Sequence, residues 1–239
     1  MSDLGAIDAD VVFDYAAAST LASACRTAAS LIDGQGGERA SAVQTGQTEF
    51  RGHFSDLFKT NAATAAGDAL ELSGKLREVA GYAEQLRDEA RKEQQRRETA
   101  RAWKKEHDNR NVAEKILDWG TGGDDPPVGP PATPLTPSVS APSNQARQPL
   151  VAAGGSGSAG GGTSSAKPQS LRTFASTSQG ANDILRPLPA RLRADYAAFQ
   201  AGCQWGSLEA SGVFSGFDAW LAANDNDVEW ATAVANAFK

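Results

Sequence analysis

Between Val11 and Ile32, Phe13, Ala17, Leu21, Ala24, Cys25, Ala28, Leu31 and Ile32 recur in steps of three and four, the spacing of one helical face. Asp8 or Asp10 is placed to cap the start of this helix. The run Asp33-Gly34-Gln35-Gly36-Gly37 predicts a break or kink, with the helix resuming over Ala40 to Thr48, because glycine weakens a helix interior. A longer stripe then runs from Phe50 through Phe54, Leu57, Phe58, Ala62, Ala65, Ala69, Leu72, Leu76, Val79, Ala83 and Leu86 to Ala90, which predicts one long amphipathic helix.

Beyond Ala90 the pattern changes from striped to charged. Arg91 to Lys105 alternates acids and bases with Trp103 as the one large apolar residue, so a solvated helical extension is expected, supported by pairs such as Glu93 with Arg97. Val112, Ile116, Leu117 and Trp119 form a last apolar patch before Gly120 ends the helix. From there to about Gln169 the chain is rich first in proline and then in glycine and serine. Such sequence buries too little apolar surface to offset its ordering entropy, and it reads as a disordered linker.

Periodicity returns with Leu171, Phe174, Ile184, Leu185, Leu188, Leu192, Tyr196 and Phe199, interrupted near Pro187 and Pro189. A turn over Cys203 to Leu208 follows, then Val213, Phe214, Phe217, Trp220 and Leu221. Asn224-Asp225-Asn226-Asp227 reads as a turn and cap before a final helix with Trp230, Val234 and Phe238. The pattern predicts an all-α fold in three parts: a long helical hairpin with a charged extension over 1–118, a linker over 119–169, and a small helical domain over 170–239. Trp205, Trp220 and Trp230 are the expected core of that second domain. The periodic pattern still runs at Phe238, so the polypeptide is expected to continue beyond Lys239.

Composition narrows the function classes. A net charge of -6 opposes bulk attraction to nucleic acid, and no window of the sequence is apolar enough to span a bilayer. The N-terminus has no basic segment followed by an apolar one, which gives general secretory export no support. The two cysteines, Cys25 and Cys203, read as small buried apolar residues, with an interdomain disulfide as the alternative in an exported protein. His53 and His107 are the only histidines and lie far apart, which leaves no material for a metal cluster or a histidine-based triad. The glycines of 154–162 lack the Lys-Ser/Thr pair of a phosphate loop, and Asp225, Asp227 and Glu229 lack the spacing and glycine of a calcium loop. No catalytic residue and no cofactor is expected.

The most informative motif is Phe50-Arg51-Gly52, lying between two helical patterns. It resembles the WXG family of type VII (ESX) secretion substrates, whose helical hairpins carry Trp-Xaa-Gly at the bend; here Phe50 holds the tryptophan position and Gly52 the glycine position. The resemblance covers residues 8 to 90. It departs from the family after the second helix, where Tyr82 is followed four residues later by Leu86 instead of Asp or Glu. The segments around Cys203-Gln204-Trp205-Gly206, Phe217 to Leu221 and Asp227 to Ala231 resemble parts of multi-domain actinobacterial secreted proteins, polymorphic toxins among them.

The resemblance implies a secreted or cell-surface protein exported by the type VII machinery without a cleaved signal peptide. It also implies an export or assembly module that works through helix packing. An isolated hairpin leaves its stripe half covered, so Phe54, Leu57, Phe58, Ala65, Leu72, Leu76, Val79 and Leu86 are the expected interface for a homodimer, or for a heterodimer with another WXG-like protein, closing a four-helix bundle. A cytoplasmic coiled-coil scaffold or chaperone is the alternative, and an enzyme whose catalytic part lies elsewhere is a third.

Overall fold

In the computed structural model, residues 4–108, 128–148 and 165–238 are described. They form an all-α fold of six helices: α1 (Tyr15–Gly34), α2 (Gly36–Gly46), α3 (His53–Asp108), α4 (Pro168–Leu185), α5 (Leu188–Gly202) and α6 (Ser211–Ala237). The apolar patch expected at Val112 to Trp119 lies outside the described residues.

Asp14, not Asp8 or Asp10, starts the first helix; its Oδ1 accepts from the amides of Ala16 and Ala17 at 2.9 Å. Those two bonds satisfy donors that a helix start leaves open. The expected break falls at Gln35, between α1 and α2. α1 runs antiparallel to α3, and the ion pairs Arg26–Glu84 and Arg77–Asp33 fix their register.

Leu72, Leu76, Val79 and Leu86 are fully buried in a core that also contains Leu21, Cys25 and Ile32 of α1, Leu192 and Phe199 of α5, and Phe214, Phe217 and Trp220 of α6. The stripe expected to await a partner is thus covered by the chain's own C-terminal helices. These four side chains are not available as an intermolecular interface. The same packing places Trp205 and Trp220 in one core with the hairpin, where a separate second-domain core was expected. Trp230 belongs to a second cluster, with Phe50 and Phe58 of the hairpin and Leu171, Phe174 and Val228 from α4 and α6.

Two further expectations are corrected. Asn224 to Asp227 lies inside the continuous α6 and does not start a helix; Arg147, Arg186 and Asn182 hold the side chains of Asn224, Asp225 and Asp227. The charged part of α3 is also more than a solvated face. Glu93 is only 2 % exposed and binds Arg96, Arg97 and the Ala132 amide, while Arg96 and Arg97 donate to the carbonyls of Leu4 and Ala9. These bonds fasten the N-terminal segment, with Ile7 and Val11 buried beneath it.

Within the predicted linker, residues 128–148 form a strap across the bundle. Its Val139 amide donates to the Glu209 carbonyl at 2.8 Å, and the Glu209 amide returns a bond to Pro137. Val139 and Pro142 are buried. Arg147 then reaches three partners: Asp68 at 2.9 Å, Asn224 at 3.0 Å and Asp227 at 3.2 Å. The rest of the linker lies outside the described residues, apart from 165–169. No helix among the described residues is long and apolar enough to cross a membrane.

Candidate functional site

The sequence singled out the bend at Phe50, and the hairpin turns there. Gly52 has φ +90°, a conformation that costs side-chain-bearing residues energy because their Cβ crowds the backbone. Phe50 is 4 % exposed, and its ring lies 6.0 Å from that of Phe58 and 6.3 Å from that of Trp230. Phe54 is half-buried on the same cluster, its ring 6.3 Å from Trp230. The bend is therefore seated on α6. Its outer edge is also tied, since the Arg51 amide donates to the Ser165 carbonyl at 2.8 Å.

Between the bend and the Gln35 break, α2 bows away from α3. The opening is a cleft of about 710 Å³. α2 forms one wall, and α3 from Phe58 to Arg77 forms the other, about 28 Å long at the helical rise. Phe174, Ser178, Trp220, Asn224 and Trp230 of α4 and α6 form the floor. The Arg77–Asp33 ion pair closes one end. At the other, α2 meets α3 so tightly that a Cβ on Gly46 would lie 2.9 Å from the Phe58 ring.

Small apolar side chains dominate the α3 wall, and Leu70 stands on its rim with 69 % of its surface exposed. Of the expected interface residues, Phe58 and Ala65 line this cleft. Leu57 is half-buried outside both cores and the cleft, whereas Leu72, Leu76, Val79 and Leu86 are in the core.

Polar groups enter the cleft at its floor. The Arg39 guanidinium lies over the Trp220 ring, 5.2 Å from its centroid, in a cation–π arrangement. Its Nε and Nη2 donate to Gln35 Oε1 at 3.1 and 3.0 Å, and Nη2 also donates to Asn182 Oδ1 at 2.8 Å. Burial pushes the Arg39 pKa down to about 10. Asn224 is 4 % exposed, and its Oδ1 accepts from Arg147. Burial raises the pKa of Asp227 above the usual carboxylate range, and Arg147 opposes the shift.

Sequence reading missed Arg39 and Asn224. Arg39 is a single cation among small residues, and Asn224 sits in a run whose composition matches a cap. Neither signal separates a binding group from a local structural one. Among the described residues, no group of three or more His, Cys, Asp or Glu is placed to hold a metal ion. Cys25 and Cys203 are both free and buried. His53 is exposed, and His107 stacks on Trp103 with ring centroids 4.8 Å apart.

No family model matches this sequence, no curated protein matches it, and no solved structure matches its fold.

Proposed function

We propose that this chain is a helical-bundle export and interaction module of the type VII kind, recognised through the tip of its hairpin. The observation that carries the reading is the Phe50-Arg51-Gly52 bend. A large apolar residue is packed at the tip of an antiparallel hairpin, two residues before a glycine at φ +90°. The WXG hairpin likewise carries a large apolar residue at its tip and, two residues on, a glycine that relieves the turn. The partner is another helical hairpin, which meets the surface left free by the chain's own packing. The second half of the chain belongs to the recognised body, because Trp230 supports the bend from α6.

The test exchanges Phe50 for alanine together with Gly52 for valine, with circular dichroism first establishing that the helices persist. Retention of the double variant inside the cell, with loss from the medium, is the expected result. Undiminished export of a variant whose bend is disrupted would remove the tip from the recognition.

The buried stripe favours a second reading. A chain that covers Leu72 to Leu86 by itself has less need of a partner, which suits a monomeric scaffold or chaperone retained in the cytoplasm.

A further inference from the structure

The cleft beside the bend carries a chemistry that helix packing does not require. Its lining is mostly apolar, and at the floor two donors lack an acceptor. The first is Arg39. Its Nη1 finds no hydrogen-bond acceptor, and its guanidinium no ion-pair partner, among the described residues. The second is Asn224, whose buried Nδ2 has no hydrogen-bond partner there. The orientation of that amide is fixed, since Arg147 can only donate and therefore faces the oxygen. A buried amide without an acceptor is costly and rare in folded proteins.

The two donors flank one side chain. Arg39 lies over the Trp220 ring, and Asn224 follows Trp220 by one turn of α6. The nearby carboxylates already have partners: Asp227 binds Arg147, Asp225 binds Arg186 and Asn182, and Asp33 at the cleft end binds Arg77. None of them forms an ion pair with Arg39, and Asp225 and Glu38 act on it only through space.

From this geometry we infer that the cleft is a binding site for a single-chain amphiphile with a carboxylate head. The head sits against Arg39 Nη1, and the alkyl tail lies along Ala62, Ala66 and Leu70. A volume of about 710 Å³ falls within the range of small-molecule sites, which are mostly apolar with a few polar groups that orient the ligand. A guanidinium matches a carboxylate in shape and charge, and the bond is strengthened at a site partly withdrawn from water. α2 and Phe58 converge at Gly46 and the Arg77–Asp33 ion pair bridges the other end, so an elongated ligand of bounded length fits the cleft better than a helix running through.

Decanoate and decanol, both below their aggregation limits, test this by calorimetry on the full chain. The wild type is expected to bind one decanoate, about tenfold or more tighter than decanol, as a charge-assisted hydrogen bond implies. Arg39→Gln, checked for intact helices, should bind acid and alcohol alike. Ala66→Trp, at an exposed wall position, should fill the cleft and bind neither. Equal affinity of the wild type for both ligands, or an acid preference that survives Arg39→Gln, would overturn the inference. So would a wild type that binds neither ligand but takes up an amphipathic helix in the cleft. Each of these results leaves the reading of the hairpin tip untouched, because the substituted residues Arg39 and Ala66 lie outside the Phe50 cluster.

Discussion

The indole Nε1 of Trp220 donates a hydrogen bond to the Ala65 carbonyl at 3.2 Å, joining residues 155 positions apart. The bond ties α6 to α3 at the cleft floor. With 1 % of its surface exposed, Trp220 also fills the core that both halves of the chain share. Trp220→Ala is expected to cost about 3–5 kcal/mol, whereas Trp220→Phe keeps most of the packing and loses chiefly the hydrogen bond, about 1 kcal/mol. Urea unfolding of the full chain measures both. Equal losses would mean that packing at this position contributes little.

Leu72→Asp places a charge in the same core, and a loss of about 3 kcal/mol or more is expected. The transition midpoint should be independent of protein concentration for wild type and variant alike, because the leucine is covered within one chain. A midpoint that rises with concentration would point instead to a stripe buried between chains.

Gly216 reverses an ordinary rule. Alanine in place of a helical glycine usually stabilises by about 1 kcal/mol. Here a Cβ on Gly216 would lie 2.4 Å from Pro142 Cγ, and the Gly216 carbonyl accepts from Asn144 at 2.8 Å. Gly216→Ala should therefore lower the melting temperature and speed tryptic cleavage after Arg147. Stabilisation by this substitution would mean that the strap does not rest on α6.

How much of this was legible in the sequence depended on the range of the interaction. The α3 stripe, the break at Gln35 and the interruption before Pro189 follow from local periodicity and from glycine and proline chemistry. The cover over Leu72 to Leu86 does not, because a stripe looks the same whether its partner is another chain or a distant part of its own. The strap was hidden for a related reason. Val139 and Pro142 pack individually, without any period, and the glycines that admit the strap lie about 70 residues away in α6. The bend was legible as Phe-Xaa-Gly, but its support by Trp230 was not.

Glu93 predicts a response to acid. The Arg96 hydrogen bond, together with those from Arg97 and the Ala132 amide, overcomes burial and holds its pKa down at about 2, against an ordinary 4.5. Its folded pKa is depressed, so its contribution is complete above about pH 4.5 and is lost as pH falls towards 2. The full loss is on the order of 3 kcal/mol. Asp227 acts in the opposite sense, since burial raises its pKa. The comparison is therefore between wild type and Glu93→Gln, whose stability should fall less steeply over that interval. Parallel slopes would show that the Arg96–Glu93–Arg97 cluster does not depend on the charge.

Burial pushes the Cys25 thiol up to about 12 and the Cys203 thiol up to about 11. Thiolate is the reactive form, so the native chain should give almost no reaction with a disulfide reagent near pH 8, and the denatured chain should react at both cysteines. Rapid reaction of either thiol in the native chain would mean that the α1–α5 packing opens readily.

The most direct measurement compares the amount of wild-type protein in the medium of an actinobacterial host that has the type VII ATPase with that of a host lacking it. Protein in the first medium and its loss from the second, at equal intracellular expression, is the expected result. Equal amounts in both media would contradict type VII export, and retention in both cells would favour the cytoplasmic scaffold.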